Sequence, residues 1–317
     1  MDPSLHWDDE VGRASPSPVK QSPVKPSPIL LAFAIAALGI AVFSSMDAVI
    51  KALALAIGTY NTLLWRSFAG IAVSGVPWLW SRPVKPSQSA MRLHIERGAV
   101  SAVMAMLFFW GLARTPMAQA IALSFIAPLI AQGLAVLLLK EQMKRGALLG
   151  SLLAFAGVLV IMWGQARAAM GPEALLGAIA VLLSAVCYAY NIILMRRQAQ
   201  VADPYEVAFF QSLFVTICLA VAMPWFAVLP PAQHWPMILL GAVLATISLA
   251  LLSWAYARAE ASYLAPVEFT AFIWASLWGW VVFGEKVGPT TLIGAAAIVV
   301  GCWIAARTPD LERDVIP

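Results

Sequence analysis

Ten apolar runs fill most of the chain, and each is about as long as a helix that crosses a membrane. Such a helix needs about 20 predominantly apolar residues to span about 30 Å of hydrocarbon. Of the 317 residues, 62% are hydrophobic and 11% are charged, whereas soluble domains average about 45–50% and about 25%. The runs therefore predict an all-α membrane protein with ten transmembrane helices. They begin near Ile29, Tyr60, Gly98, Ala118, Arg145, Ala174, Tyr205, Trp235, Ser262 and Pro289, and they end near Ile50, Trp80, Ala113, Leu139, Trp163, Leu194, Phe226, Tyr256, Phe283 and Ala306.

The two ends of the chain differ in composition from the apolar runs. Residues 1–28 contain six Pro and five Ser. A segment this poor in apolar residues cannot bury enough surface to fold, so we predict a disordered cytoplasmic tail there. Residues 308–317 are predicted to form a second, C-terminal tail.

Lysine and arginine residues are distributed unevenly among the segments that connect the runs. If the N-terminus is cytoplasmic, fifteen of them lie in cytoplasmic segments and four lie outside, namely Lys51, Arg114, Arg167 and Lys286, with Arg66 inside a run. Because cytoplasmic loops carry the excess of positive charge, both termini are predicted to be cytoplasmic. The same bias explains the net charge of +4 and the pI of about 9.1 without a nucleic-acid partner.

The chain lacks the sequence signatures of several enzyme classes. It contains no Walker A motif, no H-E-x-x-H and no G-x-S-x-G. Neither a P-loop ATP-driven pump nor a metallo- or serine-type membrane enzyme is therefore indicated. His6, His94 and His234 lie outside the apolar runs, and the three cysteines are far apart. We expect no metal site, no cofactor and no enzymatic activity.

The second half of the chain repeats landmarks of the first half at a constant offset. Trp110, Arg114, Phe125 and Glu141 are matched by Trp254, Arg258, Phe269 and Glu285, each 144 positions later. The same offset relates Gly150 to Gly294 and Gly157 to Gly301. A single offset without gaps across so many landmarks indicates an internal duplication.

Each copy contains five predicted helices, which is an odd number, so the second copy is predicted to be inserted upside down relative to the first. We assign residues 29–165 to the first repeat and residues 172–307 to the second. Inverted repeats are the architecture of many secondary transporters, whose binding site lies near the midplane where the two copies meet. The alternative is that the duplication only built a larger membrane protein.

Five segments carry a resemblance to a known family. They are SSMDAVIKAL (44–53), LLWRSFAG (63–70), FIAPLIAQGLAVLLLKE (125–141), GSLLAFAGVLVI (150–161) and ALLSWAYARAEASYLAPVEF (250–269). With these segments the chain resembles the drug/metabolite transporter superfamily with paired EamA-type repeats, over about residues 29–306. The resemblance implies a ten-helix carrier but specifies the substrate poorly. Members of the superfamily include exporters of amino acids and uptake systems for riboflavin or S-adenosylmethionine.

In that superfamily the third, fourth, eighth and ninth helices line the cavity. The resemblance therefore implies a set of polar and aromatic side chains as candidates for substrate binding or coupling. These are Trp110, Gln119, Ser124, Gln132, Tyr256, Tyr263, Glu268, Thr270 and Trp274. In the fourth helix, Pro128 removes one backbone hydrogen bond and predicts a kink, which is either static or involved in gating.

Glu268 requires an explanation because a carboxylate at the centre of a transmembrane helix costs about 2.5–3.5 kcal/mol. Its repeat equivalent is Ser124, so the repeat itself does not require an acid. Three roles are considered: a proton-coupling site, a partner for a substrate ammonium or sulfonium group, and a structural acid bonded to a neighbouring hydroxyl or arginine. The first two roles require that Glu268 faces a wet pocket between the two copies.

Asp47 and Arg66 lie at similar depth on the first two predicted helices. Opposite charges at one depth of a membrane are expected to pair, because an isolated charge is expensive there. Their repeat equivalents are Asn191, 144 positions later, and Gln211, 145 positions later because the second copy has one additional loop residue. We predict either a structural ion pair that fixes the two helices or a pair that acts in gating or substrate contact.

Glu141 and Glu285 end the fourth and ninth predicted helices, beside Lys140 and Lys286. An ion pair at the membrane interface or a cap of the following loop is the expected role. Neither glutamate is assigned to the substrate.

Together these expectations describe a secondary transporter that works by alternating access. We expect it to move a small organic metabolite, amino-acid-like or otherwise amine-bearing, across the inner membrane of the cell, with export favoured. Uptake of S-adenosylmethionine or riboflavin is the alternative within the superfamily, and a lipid-handling or structural membrane protein is the alternative of another class. The expected partners are the solute and the lipid bilayer. A proton is a candidate coupling ion, and a homodimer is left open.

Overall fold

A computed structural model of the chain describes residues 28–80, 86–139, 145–167, 172–198, 201–256, 258 and 267–306. The regular secondary structure within these ranges is helical throughout. The helices are α1 (Pro28–Ile57), α2 (Thr59–Trp80), α3 (Gln88–Leu112), α4 (Met117–Ser124), α5 (Ala127–Leu139), α6 (Arg145–Arg167), α7 (Pro172–Gln198), α8 (Pro204–Ala220), α9 (Met223–Phe226), a single 3-10 turn (Ala232–His234), α10 (Trp235–Tyr256), α11 (Thr270–Phe283) and α12 (Pro289–Ala306). Apart from Pro28, both predicted tails lie outside the described residues.

Several helices have the length and composition that a membrane requires. Four stretches of the described residues are long and apolar enough to cross a membrane, namely Leu31–Ile57, Gln88–Leu112, Pro172–Met195 and Ala232–Leu252, and shorter apolar helices accompany them. Large apolar side chains also cover the outside of the bundle, such as Leu149 and Ile293, which are 61% and 62% exposed. A surface of this kind suits lipid rather than water. The chain is therefore a helical, multi-pass membrane protein.

The third helix begins earlier than the apolar pattern predicted. The side chain of Ser87 caps α3 by accepting a hydrogen bond from Ala90 N at 3.1 Å, and the helix starts at Gln88 rather than near Gly98. The prediction was wrong because a search for apolar runs excludes polar side chains that find partners inside the bundle. His94, which was assigned to a connecting segment, lies on α3 and is only 1% exposed.

The most extensive helix packing joins the first half of the chain to the second half. Helix α6 packs along α12, α1 along α10, α3 along α7, and α2 along α8. The 144-residue offset makes α6 the equivalent of α12 and α2 the equivalent of α8, and it relates the pair α1–α10 to the pair α7–α3. The main buried cluster draws on both halves. The two halves therefore form one common core.

Glycines allow α6 and α12 to approach closely. A Cβ atom on Gly157 would lie 2.6 Å from Gly294 O, and a Cβ atom on Gly301 would lie 2.5 Å from Gly150 O. Both distances are too short for a side chain, so close backbone contact requires glycine at these positions. The contacts pair later residues of α6 with earlier residues of α12, so these two repeat-equivalent helices are antiparallel.

Candidate functional site

The fourth predicted helix is interrupted near its middle. Helix α4 ends at Ser124 and α5 begins at Ala127, so two helices form the fourth predicted span. The cause is Pro128, which has no amide hydrogen to donate to the preceding turn. The carbonyl oxygen of Phe125 accepts a hydrogen bond from Cys302 Sγ of α12 at 3.4 Å. The kink predicted from the proline is thus confirmed as an interruption of the helix.

The second half is interrupted at the equivalent position. Val267 and Glu268 are helical, Phe269 forms a turn, and α11 begins at Thr270. Thr270 Oγ1 donates a hydrogen bond to Val267 O at 2.6 Å. Ser124 Oγ, at the first interruption, donates one to the carbonyl group four residues before it, at 2.9 Å. Both candidate hydroxyl groups therefore stabilise local backbone at the interruptions.

The two interruptions meet inside the bundle. The rings of Phe125 and Phe269 are in edge-to-face contact, with centroids 5.3 Å apart and an interplanar angle of 89°. Helix α4 also packs against α11. Interrupted helices expose backbone groups that a continuous helix would satisfy, and in membrane proteins such backbone lies against protein or beside a watery cavity. The meeting point of α4 and α11 is therefore the candidate functional site.

Glu268 lies immediately before the second interruption. Its side chain is exposed. It interacts electrostatically with Tyr188 of α7 and with Cys302 of α12. Both of these helices belong to the second half of the chain. The orientation of the Glu268 side chain toward a wet pocket stays a prediction.

Gln119 of α4 lines a cavity of about 120 Å³. The other lining residues include Gly164 of α6 and Thr290 and Thr291 of α12. Gln119 is 3% exposed, and its Nε2 atom has no hydrogen-bond partner. The cavity lies toward the end of α4 at which that helix begins, and Glu268 does not line it.

The two tryptophans among the candidates are both engaged in packing. The guanidinium group of Arg114 lies over the ring of Trp110, at 3.8 Å from its centroid, and its Nη1 donates to Trp110 O at 3.2 Å. The repeat equivalents Arg258 and Trp254 adopt the same arrangement, at 4.1 Å and 3.2 Å. Trp274 packs against a small apolar cluster around α1 and α10. Three further candidates, Gln132, Tyr256 and Tyr263, have side chains outside the described part of the chain.

Asp47 is 1% exposed, and neither of its carboxylate oxygens has a hydrogen-bond partner. Arg66 interacts with it electrostatically. Within the described ranges, however, the ion pairs closer than 4.0 Å do not include these two residues. The arginine instead passes close to α10, with its Cδ atom 3.8 Å from the Cβ position of Gly241. The direct contact expected from the sequence is thus absent in this conformation, and the role in gating stays a prediction.

A largely buried ion pair lies where α1, α4 and α11 converge. An ion pair or a loop cap was expected for Glu285, but Lys51 was not predicted as its partner. Lys51 Nζ contacts Glu285 Oε1 at 2.5 Å and donates to Thr115 O at 2.7 Å. The other carboxylate oxygen of Glu285 accepts a hydrogen bond from Met117 N at 2.7 Å. Lys51 is 3% exposed. These four residues, Lys51, Thr115, Met117 and Glu285, are called the Lys51 cluster.

A second polar group, at the other end of α3, joins that helix to α7 and α8. His94 Nε2 contacts Glu206 Oε1 at 2.8 Å, and His94 Nδ1 contacts Gln198 Nε2 at 2.6 Å. Arg97 donates to Asn191 Oδ1 at 3.2 Å and also to Gln198 Oε1. These five residues, His94, Arg97, Asn191, Gln198 and Glu206, are called the His94 cluster. The described residues contain no group of three or more metal-ligating His, Cys, Asp or Glu side chains.

The sequence contains patterns that partly indicate both clusters. His94 and Arg97 are three residues apart on α3, and Asn191 and Gln198 are seven apart on α7, so each pair lies on one helix face. Lys51 is followed by apolar residues up to Ile57, which indicates that α1 continues beyond the lysine. The identity of the partners was not readable, because it depends on how distant helices pack.

Comparison with known proteins agrees with this arrangement of paired halves. The EamA-like transporter family matches the chain twice, over residues 29–163 and 175–307. A solved crystal structure resembles the chain with a TM-score of 0.56 at 19% sequence identity, covering 89% of this chain and 97% of the other. At that identity the similarity shows the fold alone.

Two relatives have names that describe transport. The pseudopaline exporter of Pseudomonas aeruginosa is 26% identical over 257 residues, which is 80% of this chain and 84% of that protein. The riboflavin transporter of Vibrio cholerae is 26% identical over 235 residues, covering 71% and 75%. The chain belongs to the EamA-like transporter family of the drug/metabolite transporter superfamily, and it is a membrane transporter rather than an enzyme.

Proposed function

We propose that the protein is a secondary transporter that exports a small amine-bearing metabolite, such as an amino-acid-like solute, across the inner membrane by alternating access. It has ten membrane spans in two inverted repeats, residues 29–165 and 172–307, with both termini in the cytoplasm. The pairing of helices across the two halves supports this architecture. The meeting of two equivalent helix interruptions, at Phe125 and Phe269, is the single observation that carries the proposal.

The antiparallel packing of equivalent helices supports the inversion. Helices α6 and α12 occupy equivalent places in the two repeats and run in opposite directions, as the contacts of Gly157 with Gly294 and of Gly150 with Gly301 require. If the repeats had the same orientation, equivalent helices would be parallel. In this orientation the Lys51 cluster lies toward the outer face of the membrane, and the His94 cluster lies toward the cytoplasm.

The interrupted helices support a central binding site. Secondary transporters with inverted repeats bind substrate near the midplane, where discontinuous helices present their ends and unwound backbone. Here α4 and α11 are interrupted at equivalent residues that touch each other. Two interruptions arranged in this way provide backbone polar groups from both repeats to one solute.

Glu268 supports an amine-bearing solute. It is an exposed acid at the second interruption, next to the meeting point of the repeats. A carboxylate in that position attracts an ammonium group and rejects a second carboxylate. Its repeat equivalent Ser124 is neutral, so the two sides of the site differ in charge. We therefore assign Glu268 to the ammonium group of the solute.

The test is a flux assay on purified protein in proteoliposomes. Amino acids and related amines that raise the melting temperature of the protein in detergent are selected, and their saturable flux is measured. In Glu268→Gln the flux of amine-bearing solutes should fall at least about tenfold, because a hydrogen bond to a charged group is worth about 1.5–3 kcal/mol. The N-acetylated solutes should be transported poorly by both forms.

The matched control is Glu173→Gln. The side chain of Glu173 is 79% exposed at the start of α7 and lies beside Arg114. Its replacement should leave the flux within about twofold, since an exposed ion pair contributes little. Absence of saturable flux for every amine tested would contradict the proposed substrate class. An equal flux in wild type and Glu268→Gln would remove Glu268 from the site.

Riboflavin uptake is the second candidate, because a 26% identical relative is a riboflavin transporter. The same vesicles measure it directly. Saturable riboflavin flux that does not change in Glu268→Gln would favour uptake of this neutral, flat solute over export of an amine.

A further inference from the structure

Asp47 and three residues around it carry buried polar atoms without hydrogen-bond partners. They are both carboxylate oxygens of Asp47, Ser44 Oγ, Ser248 Oγ and Arg66 Nε. Ser44 and Asp47 are each 1% exposed, and Ser248 is fully buried. Buried polar groups in proteins are almost always hydrogen-bonded, so a cluster of unpaired ones indicates that something binds there during function.

The packing of α1 against α10 places Ser44, Asp47 and Ser248 at a similar depth along the two helices. A Cβ atom on Gly39 would lie 3.0 Å from Leu252 Cγ, and a Cβ atom on Gly241 would lie 3.0 Å from Ile50 Cδ1. The helices are therefore antiparallel, and Ser248 lies between these two contacts on α10. Ser44 and Asp47 lie between the same two contacts on α1.

One cation faces Asp47 from the neighbouring helices. Arg66 is the charged residue of α2, and α10 and α11 contain no Asp, Glu, Lys, Arg or His. On α3, Arg92 and Glu96 are exposed, and His94 and Arg97 are held within the His94 cluster. On α1 itself, Lys51 is bound to Glu285. Arg66 is therefore the residue that can compensate the charge of Asp47.

The repeat equivalent of Asp47 has a different chemistry. Asn191 donates a hydrogen bond to Ser101 Oγ at 2.5 Å and accepts one from Arg97 Nε at 3.2 Å. A neutral amide with partners thus stands in one repeat where the other repeat has an acid without them. The acid is not required by the duplicated architecture, so its presence needs a reason specific to the first repeat.

On the basis of the proposed transport function, we propose that Asp47 is the proton-binding site of the transport cycle, with Arg66 as its alternating partner. In the conformation described here the carboxyl group carries the proton and stands apart from Arg66. In the other conformation the proton has left and the carboxylate pairs directly with Arg66. The proton enters from water on one face of the membrane and leaves to water on the opposite face, and no other bond changes.

Two features favour a proton over a metal cation. An ionised carboxylate without hydrogen bonds is far more costly to bury than the neutral acid. The nearby guanidinium group of Arg66 would repel a sodium ion held by Asp47, Ser44 and Ser248. A proton neutralises the acid without placing a second cation beside the arginine.

Infrared spectroscopy of the full-length protein in lipid vesicles tests the proposal without a transported solute. Between acidic and alkaline pH, the wild type should show the C=O stretching band of a buried protonated carboxyl group that disappears as the pH rises. The band should be lost entirely in Asp47→Asn and retained in Glu268→Gln. Labelling of the wild type with ¹³C-carboxyl aspartate should shift the band, which keeps the test available if Asp47→Asn does not fold.

Three outcomes would overturn the proposal. They are the absence of a protonated carboxyl band at any pH, a band that persists in Asp47→Asn or does not shift on aspartate labelling, and a band that sodium ions abolish at constant pH. The last outcome would assign the site to a metal cation. None of these measurements depends on flux, so failure of the proton site is distinguishable from failure of the proposed transport function.

Discussion

The Lys51 cluster and the His94 cluster hold the two ends of the bundle by different means. Helix α3 leads from one to the other, since it begins beside His94 and is followed by Thr115. At the Lys51 end, one buried ion pair joins α1 to the end of α11 and to the turn before α4. At the His94 end, five side chains share hydrogen bonds among α3, α7 and α8.

The difference lies in how many contacts must break before the helices separate. In the Lys51 cluster a single ammonium group serves both Glu285 and Thr115, so all contacts of α1 in the cluster depend on it. In the His94 cluster, His94 and Arg97 each have two side-chain partners. Loss of the Lys51 ammonium group would break every contact of α1 in the Lys51 cluster at once, and we call this arrangement a latch. The His94 cluster loses its contacts one at a time.

The repeat does not carry the latch to the other end. The position equivalent to Lys51 is Met195, which is 43% exposed. The ammonium group was therefore either gained by one copy or lost by the other after duplication. In the proposed alternating-access cycle, a latch at one end and a stepwise network at the other would make the two faces open with different energetics.

The largest effect is expected from Lys51→Met. This change introduces methionine, the residue type found at the repeat-equivalent position 195. Removal of one member of a buried ion pair leaves the other charge uncompensated and typically destabilises a protein by about 3–5 kcal/mol. The free energy of unfolding in detergent micelles should fall by about that amount. It is measured by chemical denaturation monitored by tryptophan fluorescence.

Two further variants show whether the loss comes from the latch. Lys51→Met combined with Glu285→Gln removes both charges and should be more stable than Lys51→Met alone. Lys286→Met removes the neighbouring exposed lysine and should change stability by less than about 0.5 kcal/mol. If Lys51→Met and Lys286→Met were equally stable, the Lys51 cluster would not be a latch.

Single changes in the His94 cluster should have smaller effects. Gln198→Leu removes one partner from Arg97 and one from His94, but Asn191 and Glu206 remain. We expect a loss of about 1–3 kcal/mol, the usual penalty for an unsatisfied buried group. Asn191→Leu should lie in the same range.

The double variant Asn191→Leu/Gln198→Leu tests whether the two partners of Arg97 act together. It removes both side-chain partners of Arg97 that the structure shows. Its loss of stability should therefore exceed the sum of the two single losses by about 0.5–3 kcal/mol, as expected for residues in one network. Strictly additive losses would mean that the contacts act independently and that the His94 cluster is not a shared network.

The parts of the structure that the sequence predicted rest on local patterns. The offset between Trp110 and Trp254 predicted equivalent geometry, and each ring is indeed covered by the arginine four residues later. The kink predicted from Pro128 is present as the interruption after Ser124. These features depend on neighbours along the chain, which a sequence displays directly.

The parts that the sequence missed depend on partners distant in the chain. Lys51 and Glu285 are separated by 234 residues, and neither residue type indicates which partner it will meet. The start of α3 was placed too late because His94 is polar and was therefore assigned to a loop. The sequence does not show that Glu206 and Gln198 form hydrogen bonds with its ring inside the bundle. The expected direct contact of Asp47 with Arg66 is not formed in this conformation, because similar depth on adjacent helices does not fix the direction of the side chains.

The smallest effects are expected from peripheral contacts, and they test whether the two ends differ only in their buried parts. Near the His94 cluster, the exposed hydroxyl group of Tyr190 donates to Glu96. Near the Lys51 cluster, Arg114 lies 3.7 Å from Glu173, which is 79% exposed. Tyr190→Phe and Glu173→Gln should each change the free energy of unfolding by less than about 0.5 kcal/mol, because water replaces an exposed partner.

Salt should separate these peripheral contacts from the buried latch. Added salt screens exposed charges but affects buried pairs much less. The small effect of Glu173→Gln should vanish at about 1 M salt, where the screening length is about 3 Å, while the effect of Lys51→Met should persist. If salt reduced both effects in proportion, the Lys51–Glu285 pair would be as accessible to water as the peripheral one, and the contrast between the two ends would not rest on burial.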